Sequence, residues 1–224
     1  MKKITVFSIS CLLTTIAFTA FAQQNNSGIV NYEVTIQRNN NGTGGQNINT
    51  NNNEGSDAAP DVFTMQRNFT FNAAGGKLSS PSFGGQQTQS RRGNFNRGGS
   101  NNEYVDFANK KYIRAFKREG NDTTFYISQD MRTATNFQTS DKTKKIAGYT
   151  CHKATAQLRN ATYTIWYTTD IPENFSPVDG LIPPDGGFVL ALESDRMEYK
   201  ATKVQLQSVS DNDVQIQGPS VQLT

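Results

Sequence analysis

The chain has 224 residues, 35% hydrophobic and 18% charged, with 22 Lys and Arg against 19 Asp and Glu, one His, two Cys and one Trp. That length suffices for one large domain or two small ones with a buried core, and two cysteines exclude a disulfide scaffold. Beyond the first residues no apolar run approaches the roughly 20 that a membrane-spanning helix needs.

Met1-Lys2-Lys3 is a short basic head, residues 4–20 are apolar with few interruptions, and Ala20-Phe21-Ala22 precedes Gln23. Small residues on either side of Phe21 suit a signal peptidase. Residues 1–22 therefore read as a secretory signal peptide, and 23–224 as a single antiparallel β domain with no transmembrane segment left after cleavage. Loss of Lys2 and Lys3 takes the formal net charge from +3 to +1. A near-neutral chain gives nucleic acid or an anionic membrane little to hold, because such binding rests on neutralising many phosphates. Cleavage also leaves Cys151 without another cysteine. It reads as a buried small hydrophobe, with an exposed reactive thiol as the alternative.

Val30, Tyr32, Val34 and Ile36 alternate with Asn31, Glu33 and Thr35, which puts the apolar set on one face of a strand. Residues 38–59, rich in Asn and Gly, follow as a flexible insertion, and 84–102, with Arg91-Arg92-Gly93 and Arg97-Gly98-Gly99, form a second. Neither can bury enough apolar surface to offset the entropy of ordering. Phe95 is the lone aromatic in the Arg-Gly stretch, so a soluble spacer is the better reading than RNA binding.

Further short strands are expected over 62–72, 104–107, 112–116, 123–128, 148–158, 161–168, 187–192, 197–209 and 214–223. Turn residues separate them: Asn72-Ala73-Ala74-Gly75-Gly76, Glu119-Gly120-Asn121-Asp122, Arg159-Asn160 and Ser210-Asp211-Asn212. The spacing is that of an antiparallel meander. The only helical feature is a single turn over 140–145. Met197, Tyr199 and Ala201 fall on one parity and Val204 and Leu206 on the other, so a bulge near Thr202-Lys203 is needed to keep one face apolar. Such bends let a sheet curl into a barrel or half-barrel.

Cys151-His152 resembles a nucleophile beside its base, but neighbours on a strand point to opposite faces. One His and one remaining Cys are too few soft ligands for zinc, and no nucleophile elbow, phosphate loop or paired-His helix motif occurs. No cofactor, metal site or catalytic residue is expected.

The densest cluster is Lys145-Ile146-Ala147-Gly148-Tyr149-Thr150-Cys151-His152-Lys153-Ala154-Thr155, followed by Tyr163-Thr164-Ile165-Trp166-Tyr167-Thr168-Thr169-Asp170-Ile171-Pro172. It resembles the GLPGLI family of exported Bacteroidetes proteins, as does the opening Gly28-Ile29-Val30-Asn31-Tyr32-Glu33. Where the family carries Gly-Leu-Pro-Gly-Leu-Ile, this chain has Gly180-Leu181-Ile182-Pro183-Pro184-Asp185-Gly186-Gly187. The resemblance implies an exported, mostly antiparallel β protein at the periplasm or outer-membrane surface of a Gram-negative bacterium. It implies an outer-membrane transporter or other envelope protein as partner, and it brings no catalytic residues.

By parity Trp166 faces away from Tyr163, Ile165 and Tyr167. It either lines a second, concave surface that touches an apolar or peptide ligand or lies beneath a loop near 182–186. The candidate binding residues are Trp166, Tyr149, Pro183 and Pro184, with the two prolines stiffening the rim. The expected function is a non-enzymatic binding or accessory module, with a structural envelope protein and an uncharacterised enzyme as alternatives.

Overall fold

The computed structural model describes residues 26–38, 61–79, 101–117, 120 and 122–223. The expected leader 1–22 lies outside them, as do the expected insertions 38–59 and 84–102 except at their ends.

Twelve strands form one sheet. The first six, β1 (Gly28–Arg38), β2 (Asp61–Phe71), β3 (Gly75–Ser79), β4 (Asn101–Asp106), β5 (Lys111–Lys117) and β6 (Thr124–Asp130), are an antiparallel meander. A second meander runs through β7 (Thr135–Ile146), β8 (Tyr149–Leu158), β9 (Ala161–Thr168), β10 (Phe188–Glu193) and β11 (Met197–Leu206), and β11 pairs with β1. After a one-turn helix, α1 (Asp211–Val214), the short β12 (Ser220–Gln222) adds parallel to β6. The order is β12-β6-β5-β4-β3-β2-β1-β11-β10-β9-β8-β7.

This order dictates a curl. Residues 131–134 alone join β6 to β7, and five residue steps reach at most about 18 Å. In a flat sheet these strands, ten spacings apart in the order, would stand about 48 Å from each other. The sheet is therefore bent round as a half-barrel, and it is not closed, since β7 and β12 remain edges. The expected bulge is present: Asn31 pairs with Lys203 and Tyr32 with Ala201, leaving Thr202 as the extra residue.

The core fills the concave side. Val30, Tyr32 and Val34 are buried and Glu33 exposed, the alternation of a half-buried strand. Residues 169–187, between β9 and β10, fold back over the sheet and bury Ile171, Phe175 and Leu181. The Phe175 ring stacks on Phe69 with centroids 3.5 Å apart and lies 5.2 Å from that of Phe188. Backbone bonds fix the segment: Phe175 N–H donates to the Gly187 carbonyl at 3.1 Å, and Val189 N–H to that of Phe175 at 2.8 Å. Gly187 must be glycine, because at φ 137° a Cβ would also sit 2.7 Å from Cδ2 of Tyr167.

Three local expectations need correction. Gly75–Ser79 is a strand, β3, whereas the sequence reads Gly75 and Gly76 as turn; a Cβ on Gly76 would strike the Phe69 ring at 2.2 Å, so its glycine serves packing. The single helical turn expected over 140–145 lies within β7, whose side chains are almost all exposed, so neither face carries an apolar signal. Residues 214–223 are not one strand, since Val214 ends α1 and only Ser220–Gln222 pairs with β6.

Candidate functional site

The segment 169–187 and the link 131–134 meet at one end of the half-barrel, where a parallel bridge joins Thr133 to Ile182 and Ala134 N–H donates to the Ile182 carbonyl at 2.8 Å. A cavity of about 410 Å³ opens there against the turns at Ala73 and 107–110. That volume lies within the range of about 300–1,000 Å³ typical of small-ligand sites. Its lining combines the apolar Phe107, Met131, Pro172, Ile182, Pro183 and Pro184 with the polar Lys110, Arg132, Thr133, Glu173 and Asn174.

Glu173 is 9% exposed. Its Oε2 has no hydrogen-bond partner. Burial pushes its carboxyl group above the ordinary carboxylate range, opposed in part by its own backbone N–H. A buried acceptor without a partner costs about 1–3 kcal/mol.

The neighbours of Glu173 are held in place. Asn174 Oδ1 accepts the Gly187 N–H at 2.7 Å, and a Cβ on Gly186 would meet that same oxygen at 2.7 Å, so glycine at 186 keeps the amide seated. Arg132 donates from Nε at 3.0 Å and Nη2 at 2.5 Å to Oδ2 of the buried Asp179, which also accepts from Gln129 Nε2 at 2.7 Å. Asp179 thus ties the link between the two meanders to the segment 169–187. Pro183-Pro184 stands in a turn closed by Gly186 N–H donating to the Pro183 carbonyl at 3.0 Å.

Of the four residues expected to bind, Pro183 and Pro184 line this cavity, and Trp166 and Tyr149 are not among its lining residues. Trp166 pairs with Lys153 on β8 and Ala191 on β10, and the group over its indole is the Lys144 ammonium, 4.1 Å from the ring centroid. Tyr149 is half-buried, its hydroxyl pushed up by burial and by the negative charge of Asp170. Cys151 is fully buried and His152 exposed, as the strand alternation requires. Burial raises the thiol to about 11.

Sequence reasoning missed Glu173, Asn174, Arg132 and Lys110, which come from three separate connections and share no local motif. One signal was present: the 169–187 connection is longer than the 12–15 residues beyond which connections are commonly functional, and it carries Ile171, Phe175 and Leu181 with no strand or helix period. Among the described residues, no group of three or more His, Cys, Asp and Glu side chains stands together as metal ligands would.

A family model described as "N-glycanase peptide, N-terminal domain" matches residues 88–221. Two solved structures of PNGF-II share the fold. The one in space group P21 superposes with a TM-score of 0.55 at 14% identity, covering 88% of this chain and 31% of that one. The one in space group C2 gives 0.54 at 16% identity, covering 87% and 31%. The chain thus spans less than a third of the length of the solved structures it matches. None of the curated proteins compared with it matches. The family match overturns the expectation that the chain is not an enzyme, because the matched family is described by an N-glycanase. That expectation rested on the lack of a local catalytic motif in the sequence.

Proposed function

The chain belongs to the family of N-glycanase N-terminal domains, and on that premise we propose that it takes part in removing N-linked glycans from proteins, with the Glu173 cavity as its contact with the glycoprotein. One observation carries the reading: every residue lining the cavity except Ala73 falls inside the matched stretch 88–221. The chemistry is suitable. Proline and isoleucine surfaces accept the C–H faces of sugar rings, while Lys110, Arg132 and Asn174 supply donors for ring and hydroxyl oxygens. Glu173 accepts from a hydroxyl or amide N–H when ionised, and donates when protonated. Hydrolysis of the glycan–asparagine linkage is the activity we propose the chain serves.

The reading of residues 1–22 as a secretory leader and the resemblance of residues 145–172 to exported GLPGLI proteins support an envelope location in the same proposal, with an outer-membrane transporter or other envelope protein as partner. An exported chain meets extracellular glycoproteins.

Calorimetric titration with an N-glycopeptide, and with the same peptide lacking its glycan, tests the reading. The glycan should raise affinity at least tenfold, and Glu173→Gln should remove most of that gain. Equal affinity for the two peptides would overturn it.

A further inference from the structure

We propose that the C-terminal segment 207–222 closes a second binding site, for a neutral oligosaccharide, on the face of β4–β6 turned away from the core. Val105 and Tyr112 belong to the core, so their neighbours Tyr104 and Ile113, paired across β4 and β5, look outward. The segment crosses over them as a strap. At one end Gln207 N–H donates to the Ser27 carbonyl at 3.0 Å, and Asp211 Oδ1 accepts from Asn72 Nδ2 at 2.7 Å. At the other, β12 pairs with β6, and Leu223 N–H donates to the Tyr126 carbonyl at 2.8 Å.

Between strap and sheet lies a cavity of about 450 Å³, separate from the Glu173 cavity and sharing no lining residue with it. Its floor holds Tyr104, Ile113 and Tyr126. Around it stand the planar polar groups of Asp106, Asn109 and Gln215. Asp106 and Asn109 are pre-set, since Asp106 accepts the Asn109 backbone N–H at 2.9 Å and its side-chain amide at 2.8 Å.

Aromatic rings beneath and planar amide or carboxylate groups at the rim are complementary to a pyranose. Its C–H face packs on the ring, and its adjacent hydroxyls bridge the two ends of a planar group. The only charged lining residue is Asp106, with no Lys or Arg, which disfavours an anionic sugar. A smaller cavity of about 210 Å³ shares Tyr104 but carries Lys77 and Lys117, so the neutral sugar is assigned to the larger cavity alone. The inference goes beyond the Glu173 reading and depends on different residues.

The test is a residue-resolved NMR titration of the chain with a free, neutral high-mannose oligosaccharide. We expect saturable shifts at the amides of Gly75, Asn109 and Gln215. They should weaken at least tenfold in Tyr126→Ala and disappear in Ala108→Trp, which fills the mouth from an exposed turn without removing packing. Glu173→Gln should leave them unchanged. Wild-type shifts confined to Asn174 and Gly187 would overturn the second site while leaving the Glu173 reading standing. Unaltered binding in Ala108→Trp, or no saturable shift in the wild type, would also overturn it.

Discussion

At the scale of single residues, ionisation separates Glu173 from Cys151. Glu173 has a folded-state pKa raised above its unfolded value by burial. Between the two values the native state holds a proton that the unfolded state has lost, so stability falls as pH rises through a window that begins at the ordinary carboxylate value. Glu173→Gln lacks that loss. Its urea midpoint relative to wild type should therefore climb as pH is raised through the window, and a constant difference across pH would contradict the burial. Cys151, raised to about 11, behaves otherwise: a rise of two units alone cuts its thiolate about a hundredfold. Native protein should label far more slowly with a thiol reagent at pH 8 than unfolded protein, a difference readily timed by mass spectrometry. The burial of Cys151 was legible from strand alternation, but the Glu173 environment was not, because its walls come from turns distant in the chain.

At the scale of elements, what the sequence disclosed depended on one-sided burial. The alternation in 30–36 revealed β1, and the phase slip between Ala201 and Val204 revealed the bulge at Thr202, because each pits apolar residues against a single buried face. β7 was invisible for the opposite reason. Its edge position exposes both faces, and Asp141, Lys142, Lys144 and Lys145 blunt the edge against further pairing. The β8–β9 turn places the exposed Arg159 at φ 57°, a conformation that disfavours a side chain. Arg159→Gly should raise stability by about 0.5 kcal/mol or more, read from the denaturation midpoint. The segment 169–187 depends on its aromatic anchor. Phe175→Ala should cost about 3–5 kcal/mol and loosen the cavity wall, detected as faster amide exchange at Gly187 and Val189 than at β1. Uniform exchange throughout would show that the segment is not held by that ring.

At the scale of the whole molecule, the two meanders, the short link 131–134 and the segment 169–187 form one arrangement. The link forces the curl, the curl makes a concave side, and the segment packs Phe175 against Phe69 and Phe188, with the Glu173 cavity at one end. The half-barrel was legible because strand spacing and bulge pointed to it; the filling was not, since Ile171, Phe175 and Leu181 follow no period. The central claim is that this cavity meets glycoprotein substrate, and its most direct measurement is NMR of the Glu173 side-chain carboxyl carbon, recorded with and without an N-glycopeptide. The account predicts a carboxyl that titrates above the ordinary glutamate range in the free chain, and whose resonance moves saturably as glycopeptide is added. A resonance that titrates as an exposed glutamate and ignores saturating glycopeptide would contradict it.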